Sequence, residues 1–118
     1  MKRLAAFIVL VAVGLVVPAS PAQAAFSSCP SGYLCIYAET YGNGIIANIP
    51  PANISYTCTA WTGGASNNVE SAYNRTSFPV SMNDGSNCSG AHYILPAGGM
   101  ISVMPSTIAN KASSVNRA

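Results

Sequence analysis

Residues 67–76 have the sequence NNVESAYNRT, and residues 109–118 have the related sequence ANKASSVNRA. Both blocks contain asparagine, serine, asparagine and arginine at the same relative positions, and they end near Arg75 and Arg117. A sequence repeat at a fixed offset is typical of a supersecondary unit that occurs twice in a fold. The alternative is chance, because asparagine, serine and alanine are abundant in this chain. The shared Asn-Arg pair favours duplication.

Strand-like runs separated by turn sequences lie between and around these blocks. The runs are Tyr33 to Tyr37, Ile45 to Ile49, Ile54 to Ala60, Val69 to Tyr73, Phe78 to Met82, His92 to Leu95 and Met100 to Met104. Glycine, proline, asparagine and aspartate occupy the intervening turns, and no segment after residue 24 has a convincing helical stripe. The pattern predicts an all-β domain, either a sandwich or a small barrel.

The chain divides into two halves with the same order of parts, residues 29–76 and residues 77–118. Gly42-Asn43-Gly44 in the first half corresponds to Cys88-Ser89-Gly90 in the second, and each half closes with one of the repeated blocks. If the duplication is real, Ser71 and Ser113 have equivalent roles. Substituting either by alanine is then expected to cause a similar loss of stability.

The N-terminal segment has the pattern of a cleaved secretory signal peptide. Lys2 and Arg3 precede an apolar run over residues 4–17, and the triplet Ala22-Gln23-Ala24 follows. The run is shorter than the roughly 20 apolar residues that a transmembrane helix needs, although an uncleaved anchor is the alternative. We predict a signal peptide over residues 1–24, cleavage after Ala24, and a secreted, extracellular domain over residues 25–118 that no longer associates with the membrane.

The predicted mature chain has no net charge. Its three basic and three acidic side chains are Arg75, Lys111, Arg117, Glu39, Glu70 and Asp84. Without a basic patch, binding to nucleic acid is not expected. A chain of this size forms one domain with a modest core, and we expect it to be a monomer.

Four cysteines, all in the predicted mature chain, favour two disulfides in an oxidising compartment. Four cysteines allow three pairings, and we favour Cys29 with Cys35 and Cys58 with Cys88. The first pair closes a short loop with proline and glycine, and the second ties the halves together. In the chain-entropy model these bridges contribute about 2.4 and about 3.7 kcal/mol. A zinc site is the weaker alternative because no Cys-x-x-Cys pair occurs and only His92 adds an imidazole.

The residues give little support to catalysis. The predicted mature chain has one histidine, His92, and one aspartate, Asp84, and no nucleophile elbow surrounds any serine. We therefore predict that the protein is not an enzyme.

Several motifs together resemble those of peptidase inhibitor family I36, which are secreted bacterial proteins related to βγ-crystallins. The motifs are CPSGYLCIY over residues 29–37, the Gly-x-Gly hairpin, the two blocks ending in Asn-Arg, and KASSV over residues 111–115. The resemblance implies a βγ-crystallin-like β-sandwich of two Greek-key motifs. It also implies a secreted inhibitor, of the metallopeptidase-inhibitor type, that binds an extracellular peptidase through a rigid loop.

The family's reactive loop cannot be transferred to this chain. The characterised metallopeptidase inhibitor holds that loop inside a small disulfide-closed loop in its second half, and this chain has no second closely spaced cysteine pair. The candidate exposed segments are residues 59–66 and 83–90. Within the first, the candidate peptidase-contact residues are Thr59, Ala60, Trp61 and Thr62, although a lone tryptophan in a small domain more often belongs to the core.

Calcium is the one cofactor that the resemblance allows. βγ-Crystallin domains often bind it through two Asn or Asp residues, two variable residues, Ser or Thr, and Ser. The first block ends in Ala72 and the second begins with Ala109, so each matches in part. The candidate ligands are Asn67, Asn68, Ser71, Asn110 and Ser113. The alternative function is therefore a non-inhibitory module that binds calcium, acts as a toxin or binds a cell surface.

Overall fold

The structure is a computed structural model that describes residue 26, residues 28–61 and residues 63–118. The predicted signal peptide and its cleavage site lie outside the described residues. The strands are β1 (Leu34–Tyr37), β2 (Ile45–Ile49), β3 (Thr59–Ala60), β4 (Ser71–Asn74), β5 (Val80–Asn83), β6 (His92–Leu95), β7 (Met100–Ile101) and β8 (Ser114–Arg117). Among the described residues, no helix has the length and hydropathy needed to cross a membrane.

The strands form two four-stranded antiparallel sheets. The first has the order β2-β1-β4-β7, and the second has the order β3-β8-β5-β6. In each half the fourth strand lies beside the first, which is the Greek-key arrangement. The third strand of each half joins the sheet of the other half, so that β3 pairs with β8 and β7 pairs with β4. The prediction of an all-β sandwich of two Greek keys is confirmed.

Alternating side chains of the central strands fill the space between the sheets. Leu34 and Ile36 of β1 face Val80 and Met82 of β5 across a core that excludes solvent completely at these positions. Ile54, which follows the 3₁₀ turn Pro51–Asn53, is also buried in this core. Burial of apolar area at about 25 cal/mol per Å² is the main stabilising contribution to such a sandwich.

Several element boundaries differ from the prediction. The predicted strand from Phe78 to Met82 is observed at Val80–Asn83, and the predicted strand from Met100 to Met104 ends at Ile101. The predicted strand from Ile54 to Ala60 is reduced to Thr59–Ala60, the two residues of this run that pair with β8, and residues 55–58 are exposed. The predicted strand from Val69 begins only at Ser71. The C-terminal block, which was not assigned as a strand, forms β8 and lies between β3 and β5.

A second, aromatic cluster covers the outer face of the first sheet. The ring of Phe26 packs edge-on against Tyr37, with the ring centroids 5.4 Å apart, and against Tyr73 at 6.0 Å. The disulfide between Cys29 and Cys35 lies in the same cluster and is one of the two favoured pairs. Residues that precede the first strand therefore close this face of the sheet.

The structural correspondence between the two repeated blocks is shifted by one residue from their sequence alignment. Asn74 faces the core, where its amide donates to the carbonyl oxygens of Phe78, Leu95 and Pro96 at 2.9 to 3.1 Å. Its sequence counterpart, Asn116, lies opposite Ser81 on the outer face of the second sheet. Because side chains alternate along a strand, a shift of one residue moves every side chain to the other face.

Candidate functional site

The candidate contact loop is the connection between β5 and β6, residues 84–91. Three backbone hydrogen bonds fold it onto itself: Asp84 donates to Ala91 at 2.8 Å, Gly85 to Ser89 at 2.9 Å, and Cys88 to Gly85 at 3.2 Å. All its side chains apart from Cys88 are polar or small, and most of its residues are exposed. The sequence therefore forms a tightly folded loop that presents neutral hydrogen-bonding groups and one carboxylate to solvent.

Ser114 and a disulfide hold this loop against the sandwich. The Ser114 hydroxyl donates to the carbonyl oxygen of Gly85 and accepts from the amide of Cys88 at 3.0 Å. Cys88 is bonded to Cys58, which is the second favoured cysteine pair. The Cys88 backbone has a φ of 63°, a left-handed conformation that is costly for a residue with a side chain. The surrounding bonds hold the loop in this conformation.

The first hairpin is closed in the same way. The Ser71 hydroxyl donates to the carbonyl oxygen of Glu39 at 2.6 Å and accepts from the amide of Gly42 at 3.0 Å. Ser71 therefore corresponds to Ser114, and the predicted equivalence of Ser71 and Ser113 is corrected. Cys88 occupies the place of Gly42, as the comparison of the halves predicted. Alignment of the two blocks by identical residues matches Ser71 with Ser113, whereas the structural counterpart of Ser71 is the adjacent Ser114.

The predicted contact residues Thr59, Ala60 and Trp61 do not form a free loop. Thr59 and Ala60 form β3 and pair with Val115 and Ser114. Trp61 is half-buried against the core, and its indole nitrogen is enclosed without a hydrogen-bond partner. Thr62 lies outside the described residues. This segment is therefore held by the sandwich rather than projected from it.

Three of the candidate calcium ligands, Asn67, Asn110 and Ser113, bind the two halves to each other. Asn67 accepts from the Ser113 hydroxyl at 3.0 Å, and Asn110 donates to the Glu70 carboxylate at 2.9 Å. Both asparagines have left-handed backbones. Asn68 donates to the carbonyl oxygen of Gly64 at 3.0 Å. In the described part of the chain, no group of three or more His, Cys, Asp or Glu side chains is placed to hold a metal ion.

The arginines that end the two blocks have structural contacts. Arg75 donates to the carbonyl oxygen of Cys29 at 2.7 Å and so fastens the disulfide loop. The Arg117 guanidinium lies 3.7 Å from the centre of the Phe78 ring and 5.3 Å from that of Tyr56. Cation–π contacts of this kind stabilise a folded chain. Both arginines therefore contribute contacts that hold the folded chain together.

Phe26 is a residue whose importance the sequence interpretation missed. A Cβ added to Gly42, whose φ is +75°, would lie 2.7 Å from the Phe26 ring. The sequence signal is an aromatic residue at the second position after the predicted cleavage site. Burial raises the pKa of the neighbouring Tyr37 hydroxyl, an effect that the Ser28 side chain partly offsets.

A cleft of about 320 Å³ opens on the outer face of the second sheet, next to the candidate contact loop. Its polar floor is internally paired: Ser81 donates to Asn83 at 2.9 Å, and Asn83 donates to Asn116 at 3.0 Å. His92 and Ile94 form one wall. Because the floor groups already bind one another, the cleft alone indicates no ligand.

Solved structures with this architecture are βγ-crystallin domains. A structure described as showing the evolution of the eye lens βγ-crystallin domain fold is 14% identical, with a TM-score of 0.63, and the match covers 76% of this chain and 89% of that one. The N-terminal domain of protein S is 10% identical, with a TM-score of 0.58 and coverage of 71% and 92%. A βγ-crystallin domain from Flavobacterium johnsoniae is 12% identical, with a TM-score of 0.54 and coverage of 70% and 90%. The protein therefore has the βγ-crystallin fold.

The sequence also matches the family model of peptidase inhibitor family I36 over residues 22–95. The chain belongs to this family. No curated protein matches the chain. Family membership supports a role as a peptidase inhibitor rather than as an enzyme, with a peptidase as the partner.

Proposed function

We propose that this protein is a secreted inhibitor of an extracellular metallopeptidase and that it binds through the loop of residues 84–91. Membership of family I36 supports peptidase inhibition. The signal-like N-terminus and the two disulfides are compatible with secretion. The metallopeptidase class is an extension from the resemblance of the sequence motifs.

The single observation that carries the choice of loop is its double attachment. Cys88 ties it to Cys58, and the Ser114 hydroxyl bonds it at Gly85 and Cys88. A loop that is already ordered loses little conformational entropy on binding, and each side chain that must otherwise be immobilised costs about 0.5 to 1.5 kcal/mol. The loop is also exposed at most positions, whereas Thr59 and Ala60 are engaged in a strand.

The test is inhibition by the oxidised protein of residues 25–118. We expect it to inhibit a thermolysin-like metallopeptidase when titrated against metallo-, serine and cysteine peptidases. Ser89→Arg, which adds bulk to the exposed loop, is expected to weaken inhibition. The matched control is Asn43→Arg, at the corresponding exposed position of the first hairpin, and it should inhibit normally. Full activity of every enzyme at about micromolar protein would rule out the proposed function.

Export is tested separately. The full chain, expressed in a secreting bacterial host, is expected to appear in the medium with Ala25 as its first residue. Retention in the cell, or an intact N-terminus, would contradict the secreted form of the proposal.

A further inference from the structure

Strand β6 lies at an outer edge of the second sheet. It pairs with β5 alone, with His92 opposite Asn83 and Ile94 opposite Ser81. An edge strand presents a row of backbone N–H and C=O groups that a further strand can bind. Whether β6 can do so depends on which of its residues direct these groups outward.

The hydrogen bonds identify those residues. Asp84 donates to the carbonyl oxygen of Ala91 at 2.8 Å, which continues the ladder between β5 and β6. Opposed residues in an antiparallel ladder alternate between bonded and non-bonded pairs. The backbone groups of His92 and Ile94 therefore point away from β5. Asn83 lies opposite His92, and its carbonyl oxygen points away from β6, toward β8. It accepts a hydrogen bond from the amide of Ser113, beside β8, at 2.7 Å, in agreement with this alternation.

This edge lacks the features that usually prevent strand addition. Residues 91–95 contain no charged residue and no proline, their pairing with β5 is regular, and Ile94 is 50% exposed. The comparable edge strand, β2, has a register shift opposite residues 36–37 and contacts the 3₁₀ turn Gly63–Ala65. The other edge strands, β3 and β7, are two residues long. Natural edges are commonly blocked by charge, proline, bulges or shortness.

We propose that the free edge of β6 binds an extended, uncharged polypeptide segment of a partner by strand addition. Main-chain hydrogen bonds to His92 and Ile94 supply recognition, and side chains of the segment pack against Ile94. The edge follows the candidate contact loop directly, so a partner on that loop lies within reach. A second copy of this chain is a weaker fit, because four residues of strand span about 13 Å. A pairing of that length alone buries far less surface than the roughly 1,200 Å² typical of a stable interface.

The proposal extends beyond peptidase inhibition and is tested without a peptidase. The probe is the blocked peptide acetyl-Thr-Val-Thr-Val-Thr-amide, added to isotope-labelled oxidised protein of residues 25–118 up to about 5 mM. We expect saturable amide shifts confined to residues 91–95 and slower hydrogen exchange at His92 and Ile94. The same peptide methylated on every backbone nitrogen cannot donate main-chain hydrogen bonds and is expected to bind at least about tenfold more weakly.

A substitution tests the edge itself. Ile94→Pro removes an outward N–H that the ladder does not use, so the strand should tolerate it while binding falls at least about tenfold. If this variant fails to fold, Ile94→Lys replaces it, with Ile45→Lys as the matched control. Ile45 is 54% exposed and lies in β2, an edge strand of the first sheet. Ile94→Lys should weaken binding of the probe, and Ile45→Lys should not.

Three results of the peptide-binding experiments would overturn the proposal. They are unchanged amide shifts on β6 at the highest peptide concentration, shifts located on β2 instead, and equal weakening by the two lysine variants. Self-association through β6 that the peptide does not reverse would assign the edge to a second copy and would also overturn it.

Discussion

One serine hydroxyl closes each folded hairpin, Ser71 in the first and Ser114 in the second. Removing a buried hydroxyl partner leaves backbone groups unsatisfied, which costs about 1 to 3 kcal/mol. We expect Ser71→Ala and Ser114→Ala each to lower the free energy of unfolding by this amount. Ser113→Ala should cost less, because its hydroxyl contacts Asn67 and Lys111 rather than a hairpin loop. Urea unfolding of the oxidised protein measures the three values.

Ser77→Ala is the matched control because Ser77 is exposed, and it should leave the unfolding free energy unchanged. A large loss for Ser113→Ala together with no loss for Ser114→Ala would restore the alignment of the blocks by identical residues.

Gly42 is required for two separable reasons, its backbone conformation and its contact with Phe26. Gly90 shares the positive φ, at +79°, but its nearest neighbour would be 3.6 Å from an added Cβ. We expect Gly90→Ala to cost about 1 to 2 kcal/mol for the backbone alone. Gly42→Ala should cost about 1 to 3 kcal/mol more, because its Cβ would overlap the Phe26 ring. Thermal or urea unfolding compares the two variants.

A double-mutant cycle isolates the contact with the ring. In a Phe26→Ala background the extra cost of Gly42→Ala should largely disappear, whereas the cost of Gly90→Ala should persist. If the two glycine substitutions lowered the unfolding free energy equally in the native background, the Phe26 ring would have moved aside at no cost.

At the scale of elements, the loop between β5 and β6 has a cysteine where the first hairpin has glycine. Once the disulfide to Cys58 is removed, the left-handed φ of 63° at residue 88 should favour glycine. We expect the double variant Cys58→Ala, Cys88→Gly to be more stable than Cys58→Ala, Cys88→Ala by about 1 kcal/mol. Urea unfolding compares them, and an advantage for alanine would show that the loop rearranges when the bridge is absent.

The sequence predicts the elements whose determinants are local. Turn residues and alternating side chains locate β1, β2 and β6 within a residue of their bounds, and the spacing of Cys29 and Cys35 favours a short bridge. The stretch from Ile54 to Ala60 is predicted as one strand because its apolar residues alternate with polar ones. In the structure Ile54 is buried but belongs to an irregular segment, and Tyr56 is exposed beside Arg117. The register of the second block depends on contacts with distant hairpins, which one sequence does not reveal.

At the scale of the whole molecule, the candidate calcium residues join the two halves. The bonds of Asn67 with Ser113 and of Asn110 with Glu70 use oxygens that calcium would need, and Glu70 supplies the only carboxylate in these pairs. Calcium affinity rises with the number of charged ligands. We expect about 1 mM calcium to leave the melting temperature unchanged relative to magnesium or a chelator. A rise specific to calcium would establish a site and favour the non-inhibitory alternative.

The exchange of third strands makes the halves interdependent. Strand β3 pairs only with β8 of the second half, and β7 pairs only with β4 of the first, so neither sheet is complete within one half. We therefore expect a single cooperative unfolding transition. Trp61, the sole tryptophan, follows β3, and its fluorescence should change at the same urea concentration as the far-ultraviolet circular dichroism.

Separate peptides of residues 25–76 and 77–118, carrying Cys58→Ala and Cys88→Gly, test the same interdependence. Each should lack stable structure alone, because its third strand has no partner and one face of its sheet is exposed. Mixing them should restore β-sheet dichroism, since the strand pairs and the core can then form between the peptides. A folded half on its own, or a fluorescence transition well separated from the dichroism transition, would show that each Greek key is an independent unit.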